Sequence, residues 1–417
     1  MLSVQEALTA VFAQVPTLEI EQAPLLETRN RVLAYDALAD IDNPPFDNSA
    51  VDGFGVRTDD TRGASKSVPI QLTCVGEVPA GSAPVRGLGP GECMRVMTGA
   101  PIPPGADAMV MVEDTEITGN RVQISLEAGE GDHIRRAASD IRKGQRVLPR
   151  GTLIGPAEIA LLATIGQPNV SVIRTPRVAV ISTGDEIVDI HEKPGPGKIR
   201  NSNSYALAAL VAEAGGELHS MRHIPDDRAA TEAAFRECSG LDGSPRADAI
   251  VSSGGVSVGD RDFVRPVIET LGTLELWRVK MKPGKPLAFG KVGRSLFFGL
   301  PGNPVSTMVT FELFVRPSIW KMAGRTTLAR PSVLAILESP VQHTSGRQEY
   351  VRAVLTLRDG QYYASPTGAQ GSSFLTSMLG ANGLLVIDES SGDLQAGEKV
   401  LAMMLMPPGC TSGSAGS

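Results

Sequence analysis

Four loops of this 417-residue chain combine carboxylates, glycines and lysines in patterns suited to phosphate and cation chemistry. The first is Ser182-Thr183-Gly184-Asp185-Glu186. Two adjacent carboxylates follow a glycine there. Hard cations such as Mg²⁺ are held through one or two carboxylates plus substrate oxygens. The same residues also suit a plain turn, with Asp185 capping and Glu186 in solvent. The second is Ser252-Ser253-Gly254-Gly255-Val256-Ser257-Val258-Gly259-Asp260. Glycines let backbone N–H groups close on an anion, and a helix N-terminus adds partial positive charge. The loop is neither G-x-G-x-x-G nor a P-loop, because no G-K-[ST] is present, and a ligand-free glycine turn also fits it. Asp262 lies just beyond, placed to meet a cation or to position a donor.

The third loop, Lys280-Met281-Lys282-Pro283-Gly284-Lys285-Pro286, sets three lysines beside rigid turns. The fourth, Leu300-Pro301-Gly302-Asn303-Pro304, opens an apolar helical stretch. Asn303 suits the N-cap and Pro304 the first helical position. The unpaired N–H groups there make a second candidate anion site, and a simple strand-to-helix turn is the other reading. Weaker polar clusters stand earlier, at Asp47-Asn48-Ser49-Ala50-Val51-Asp52-Gly53-Phe54 and at Arg95-Val96-Met97-Thr98-Gly99-Ala100-Pro101. His133-Ile134-Arg135-Arg136 and Asp140-Ile141-Arg142-Lys143-Gly144 place basic charge beside an acid, a pattern shared with ordinary solvated surface. G-x-S-x-G, H-E-x-x-H and heptad runs are absent from the sequence, so hydrolase-elbow and zincin readings lack support.

These loops need elements to hold them. Val4, Ala7, Leu8, Val11, Phe12 and Val15 form an amphipathic helical stripe, with Ser3 as N-cap and Glu6 completing a capping box. Residues 44–132 are rich in Gly, Pro and short β-branched runs and read as a small β-rich domain. A helix is expected over 158–165, opened by Pro156. From Pro176 onward, strands (177–182, 217–224, 247–252, 274–279, 287–289, 295–298) alternate with helices (204–213, 227–237, 263–271, 305–322). That alternation predicts a parallel α/β sheet, whose ligands sit past the carboxyl ends of its strands. Beyond Gly324 come short strands at 333–337, 350–357, 362–364, 383–387 and 399–404. A hairpin turn is expected at Arg358-Asp359-Gly360, so this part reads as all-β. The Gly/Ser-rich tail Cys410–Ser417 reads as disordered.

Composition narrows the class. At roughly 150 residues per domain the length suggests about three domains. Gly (45) and Pro (30) make up about 18% of the chain, against roughly 12% on average. They concentrate at strand ends, which favours shaped loops over low complexity. A net charge of −7 argues against general nucleic-acid binding. It still admits an anionic small substrate handled by local lysines or a metal. No apolar run approaches the roughly 20 residues of a membrane span. The amino terminus carries Glu6 and no basic segment, so a secretory signal is not expected. The cysteines, at 74, 93, 238 and 410, are far apart and form no C-x-x-C. That argues against zinc and for a reduced, cytoplasmic setting.

Taken together, eight segments in order resemble the MoeA family, whose eukaryotic relative is the gephyrin E domain. They are DNSAVDGFGVR (47–57), RVMTGAPIPPGAD (95–107), IRRAASDIRKG (134–144), STGDEI (182–187), IPDDR (224–228), SSGGVSVGDRDF (252–263), KPGKPLAFGK (282–291) and LPGNPVS (300–306). Each alone is weak, but their order along nearly the whole chain is specific. The resemblance implies a multidomain α/β and β fold. Its parts would be an elongated mixed domain I (1–43 and 134–175), an inserted β-rich domain II (44–133), a parallel-sheet α/β, molybdopterin-binding domain III (176–324) and a C-terminal β-barrel domain IV (325–409).

The implied reaction is that of a molybdopterin molybdenumtransferase. Adenylylated molybdopterin and molybdate would yield molybdenum cofactor and AMP, with Mg²⁺ as activator. The implied assembly is a homodimer in which domain II of one subunit faces domain III of the other. The upstream molybdopterin adenylyltransferase and molybdoenzyme chaperones are implied partners. By motif position, Asp52 and Thr98 match the polar pair of domain II, Asp140 the acid after the basic stretch, and Glu186 the acid of the TGDE loop. Asp226 and Asp262 match further cleft acids, with Asp227 an alternative to Asp226. Pro301 and Pro304 match the prolines of LPGNP. Glu186 and Asp262 are the implied metal ligands. Substrate contacts fall on Thr183, Gly184, Asp185, Ser253, Gly254, Gly255, Ser257, Gly259, Lys282, Lys285, Gly302 and Asn303. The chain reads VDGFG where many members read MDGYA, so Phe54 lacks a tyrosine hydroxyl. A molybdopterin adenylyltransferase, which resembles domain III alone, and a gephyrin-like scaffold are the rival readings.

Overall fold

The computed structural model describes residues 1–254 and 263–409. The tail 410–417 and the predicted site residues Gly255, Ser257, Gly259 and Asp262 lie outside them.

The chain opens with the helix Val4–Gln14, closed at its start by the expected capping box. The Ser3 hydroxyl accepts from the Glu6 N–H at 3.2 Å, and the Glu6 carboxylate accepts from the Ser3 N–H at 2.7 Å. Its stripe of Val4, Ala7, Val11 and Val15 is buried against the α/β sheet far along the sequence. The strand Ile20–Pro24 then runs antiparallel to Asn169–Ile173. Residues on either side of the central insertion thereby share one core, built from Ala23, Leu33, Ile141, Leu148, Leu162 and Val172. The helix Pro156–Thr164 lies in this part, with Pro156 in its first turn as expected. Between the two halves stands a six-stranded sheet in the order Ala108–Met111, Gly53–Val56, Glu92–Val96, Ile70–Val78, Arg121–Ile124, Thr115–Thr118.

The α/β sheet runs Glu217–Ile224, Arg177–Thr183, Ala249–Ser253, Ser295–Leu300, Pro286–Val292, Gly272–Arg278. Its first four strands are parallel. The last two are antiparallel, so the sheet has a parallel body and a hairpin-built edge. Side chains alternate along each strand with a period of two. Val178, Val180, Val251 and Phe298 enter one apolar layer. Ala179, Ile181, Ile250 and Phe297 enter the other. Burial on both faces explains why these strands read as continuous apolar runs.

The helix expected over 305–322 is not uniform. It runs as an α-helix over Pro304–Thr310, widens to a π turn at Phe311–Val315, and resumes as α over Arg316–Met322. Pro317, second in the last segment, has no N–H to return to the preceding turn, and a π bulge accommodates that gap. The bulge also aims Glu312 inward. Its carboxylate accepts from Arg316 Nε and Arg330 Nε, both at 2.7 Å. Arg330 reaches on to Glu213 at 2.8 Å and to the Leu405 carbonyl at 2.6 Å. The cluster fastens the long helix to the C-terminal domain.

That domain is a closed five-stranded barrel. Gln348–Arg358 pairs with Gln361–Pro366, then follow Ser332–Leu337, Lys399–Met404 and Gly383–Ile387, which returns to Gln348–Arg358. Asp359 (φ 50°) and Gly360 (φ 74°) make the expected two-residue hairpin turn. A sixth short strand, Met281–Lys282 from the lysine loop of the α/β unit, lies parallel to Gln348–Glu349 at the barrel's edge.

The buried Glu312 cluster yields a direct expectation. Glu312→Ala strands the Arg316 guanidinium without its buried counter-charge and should cost about 3–5 kcal/mol. The loss should appear as an earlier urea midpoint for the α/β unit; an unchanged midpoint would show that the cluster contributes little.

Candidate active site

Parallel strands deliver their carboxyl ends to one edge, and the loops singled out from sequence follow three of them. Two cavities open there. The first, of about 580 Å³, is lined by Thr183, Glu186, Arg200, Asn201, Asn203, Ser253, Gly254, Gly302, Asn303, Pro304 and Ser373, among others. The second, of about 460 Å³, includes Gly254, Lys282, Lys285, Pro301, Gly302, Asn303, Arg347, Gln370, Gly371 and Ser372 in its wall. Gly254, Gly302 and Asn303 belong to both.

The first cavity carries the carboxylate. Gly184 has φ +133°, a conformation that disfavours a side chain, and the Glu186 carboxylate folds back over the place a Cβ would occupy. Asp185 and Asp226 cross-brace two loops. The Asp226 N–H donates to Asp185 Oδ1 at 3.1 Å, and the Asp185 N–H donates to Asp226 Oδ2 at 3.4 Å. The Lys198 ammonium donates to the Asp185 carbonyl. Asp227 is committed elsewhere: it caps the helix Arg228–Ser239, its Oδ1 accepting from the Ala230 N–H at 2.7 Å. Of the two adjacent acids, Asp226 is the one that meets the TGDE loop. Asn203 Nδ2 stitches two loops together by donating to Ser253 Oγ and to the Gly302 carbonyl, both at 2.7 Å.

The second cavity carries the cations. Lys282 is held at 2.8 Å from Glu349 of the barrel. Lys285 and Arg347 line the same wall. Behind the Gln370–Ser372 segment lies Arg352, 1% exposed. Its Nε donates to Ser377 Oγ at 3.1 Å and its Nη2 to the Gly371 carbonyl at 3.2 Å. Burial pulls its pKa down to about 10, since the charged form is poorly solvated there.

Asn303 does not cap its helix with its side chain. Its Nδ2 instead donates to Ser372 Oγ at 3.1 Å, and the Val305 N–H donates to the Ser372 carbonyl at 3.1 Å. The barrel loop thus occupies part of the helix start expected to receive an anion. Pro304 does open the helix.

Of the expected residues that are described, Gly184, Asp185 and Asp226 stand in the braced loops without lining either cavity, and Asp52, Thr98 and Asp140 line neither cavity and stand apart from those loops. Asp52 and Thr98 form a pair on the inserted sheet, with the Thr98 N–H donating to Asp52 Oδ1 at 2.7 Å and its hydroxyl at 2.8 Å. Those bonds, the backbone one foremost, hold the Asp52 carboxyl below its ordinary range. Asp140 accepts from Asn43 Nδ2 at 2.9 Å. Sequence reasoning missed Asn203, Arg347, Glu349, Arg352 and the 370–373 segment. All but Asn203 come from the barrel, joined to the lysine loop only in space, and no spacing in the chain announces that.

Among the described residues no group of three or more His, Cys, Asp or Glu side chains is gathered to hold a metal. Glu186, with phosphate oxygens completing the shell, fits the way Mg²⁺ is bound, through one or two carboxylates plus substrate. The three cysteines among the described residues are free, and burial pushes the Cys93 thiol up to about 12. None of them lines either cavity. Among the described residues no helix is long and apolar enough to cross a membrane.

Comparison with known proteins agrees along the chain. Residues 2–166 match the family model of the MoeA N-terminal region (domain I and II), 179–321 that of a probable molybdopterin binding domain, and 335–405 that of the MoeA C-terminal region (domain IV). The molybdopterin molybdenumtransferase of a Nostoc species is 36% identical, over 97% of this chain and 94% of that one. That of Haemophilus influenzae is 34% identical, over 96% and 98%. A crystal structure titled molybdopterin biosynthesis MoeA protein, from Pyrococcus horikoshii, superposes with a TM-score of 0.81 at 33% identity, covering 98% of this chain and 100% of that one. Three consecutive family matches, full-length relatives and a shared multidomain α/β and β fold lead to one conclusion: the chain belongs to the MoeA family of molybdopterin molybdenumtransferases.

Proposed function

We propose that the chain transfers molybdenum to molybdopterin: it takes adenylylated molybdopterin and molybdate, and releases AMP and molybdenum cofactor. The observation that carries this reading is the pair of cavities meeting at Gly254, Gly302 and Asn303. Two ring systems joined by a phosphoanhydride need two recesses and a narrow polar bridge between them. Each cavity falls in the usual size range for small-molecule sites, roughly 300–1,000 Å³.

The roles follow from chemistry. Lys282, Lys285 and Arg347 would neutralise phosphate charge from one side. Asn203, Ser253 and the backbone at Gly254 and Gly302 would orient the bridge. Thr183 and Asn201 would offer hydrogen bonds to the group in the carboxylate-bearing cavity. Mg²⁺, held by Glu186, would add charge neutralisation on the phosphate as the anhydride breaks. Pro301 and Pro304 fix the turn that carries Asn303. The molybdenum is cargo rather than a resident cofactor, and the substrate's own sulfurs would receive it.

We further assign the chain to a homodimer. Asp52 and Thr98 line neither cavity of their own chain, and domain II of a partner facing domain III would give them a place in the cleft. The four-part division, with domain II at 44–133 inserted in domain I, belongs to the same reading. So do a cytoplasmic location and association with the upstream adenylyltransferase and molybdoenzyme chaperones.

The direct test is AMP release. Purified protein with adenylylated molybdopterin, molybdate and Mg²⁺ should liberate AMP and bind metal together, and release without molybdate dependence would contradict the assignment. Glu186→Gln should lower that release on the order of a hundredfold with an unchanged far-UV spectrum; a near-normal rate would remove Glu186 from the mechanism. A mixture of Asp52→Asn and Glu186→Gln chains tests the dimer. Half of the pairs are then mixed and each has one intact cleft, so about a quarter of the activity should return. No recovery after subunit exchange would argue that each cleft is built within one chain.

A further inference from the structure

The lysine loop and the barrel meet in an unusual way. Lys282 and Glu349 are direct partners across the parallel pairing of Met281–Lys282 with Gln348–Glu349. Glu349 is buried, 4% exposed, and both its oxygens are engaged. Oε1 lies 2.8 Å from Lys282 Nζ. Oε2 lies 2.8 Å from Nδ1 of His343, itself 7% exposed. A carboxylate only accepts, so Nδ1 must carry the proton it donates. The other ring nitrogen, Nε2, is buried and has no hydrogen-bond partner among the described residues. Among the described residues the carboxylate is thus the only hydrogen-bond partner of that ring; the Asp388 charge lies near it, and the backbone N–H of His343 is fixed to Asp393 at 2.7 Å. Other charges around the pair are Arg352 behind it, Lys280 tied to Glu389 at 3.5 Å, and Lys285 and Arg347 in the cavity wall.

We propose that Glu349, oriented by His343, is a positioning residue for phosphate recognition: it holds the Lys282 ammonium at one place in the cavity wall. A lysine alone has a flexible four-carbon stem and loses rotamer entropy when its head group is fixed. A buried carboxylate on the facing strand removes that freedom before substrate arrives. Glu349 itself does not line the cavity, so it acts through Lys282. The residue belongs to a different domain from the lysine it orients, which makes the barrel a functional part of the cleft. This rests on the reading of Lys282, Lys285 and Arg347 as the group that neutralises the substrate's phosphate charge.

A double-mutant cycle with AMP as the probe separates the two ideas. Wild type should bind AMP by calorimetry; a wild type that does not bind would refute the site, whatever the variants do. Glu349→Gln should weaken AMP binding about tenfold, Lys282→Ala by a similar factor, and the double variant no more than Lys282→Ala alone. In turnover the Glu349→Gln change should fall on KM for the adenylylated substrate, with kcat within about twofold. Glu349→Asp, which keeps the charge, should recover part of the affinity. Independent, multiplying losses in the double variant would overturn the proposal, since a merely structural glutamate has no reason to depend on Lys282. Should Glu349→Gln not fold, His343→Phe keeps a buried ring at that place and frees Oε2, the oxygen that orients the carboxylate. It should weaken AMP about threefold, and only when Lys282 is present; unchanged affinity would equally overturn the assignment.

Discussion

A two-residue strand pairing holds the cleft together. Met281–Lys282 and Gln348–Glu349 lie side by side in parallel, although the first belongs to the α/β unit and the second to the barrel. The Gln348 N–H donates to the Lys280 carbonyl at 2.9 Å and extends that seam. Without it, the lysine loop would be an exposed excursion and the 370–373 segment would have no wall to face. With it, the second cavity acquires Lys282 and Lys285 from one domain and Arg347 with the 370–372 wall from the other. The Glu312–Arg316–Arg330 cluster fixes the same two units from the opposite side of the long helix. Between these two ties the barrel has little freedom to change the cavity's shape.

Charge explains how an acidic chain can serve an anionic substrate. The net −7 is spread over the whole molecule. In the second cavity the signs invert locally, with Lys282, Lys285 and Arg347 in the wall and Arg352 buried behind. Arg352 has no carboxylate within ion-pair distance among the described residues; its guanidinium leans on neutral oxygens of Ser377 and Gly371. Burying a cation on neutral partners costs desolvation. An anion bound in front of it would recover part of that cost, which is a reason for such an arrangement at a binding site.

The periodic part of the fold was legible from sequence because one physical rule governs each element there. A continuous apolar run marked the strand at 177–182, which is buried on both faces, and turn chemistry marked Asp359-Gly360. The π turn at Phe311–Val315 was not legible: the apolar pattern continues through it, and only the position of Pro317 hints at a break. The antiparallel edge of the sheet was hidden for a similar reason, since strand direction leaves no trace in a short apolar run. In the site, the loops at strand ends were found because glycine, proline and carboxylate cluster there. Arg347, Glu349 and Arg352 were not, because their spacing in and just before Gln348–Arg358 is that of an ordinary strand with charged residues. Glu349 shares the barrel-core face with Val351, Ala353 and Leu355, whereas Arg352 lies on the opposite face with Tyr350, which packs into the core of the α/β unit.

The surplus of glycine and proline then has a structural place. A Cβ added at Gly302 would come within 3.9 Å of Gly254 Cα, so the two cavities are divided by bare backbone drawn from two loops. A larger side chain at either point would build a wall there. Prolines at 301 and 304 hold one of those loops in a single shape, and Asn203 bonds both loops from below. A rigid loop without side chains is what a connection between two recesses requires, because the bridging part of a ligand needs backbone contact at close range and a fixed path. The many other glycines at strand ends follow the general demand of tight turns, but these two also keep the passage between the two cavities free of side chains. On this view the α/β unit supplies the path and the two lysines, and the barrel adds Arg347 and the facing wall.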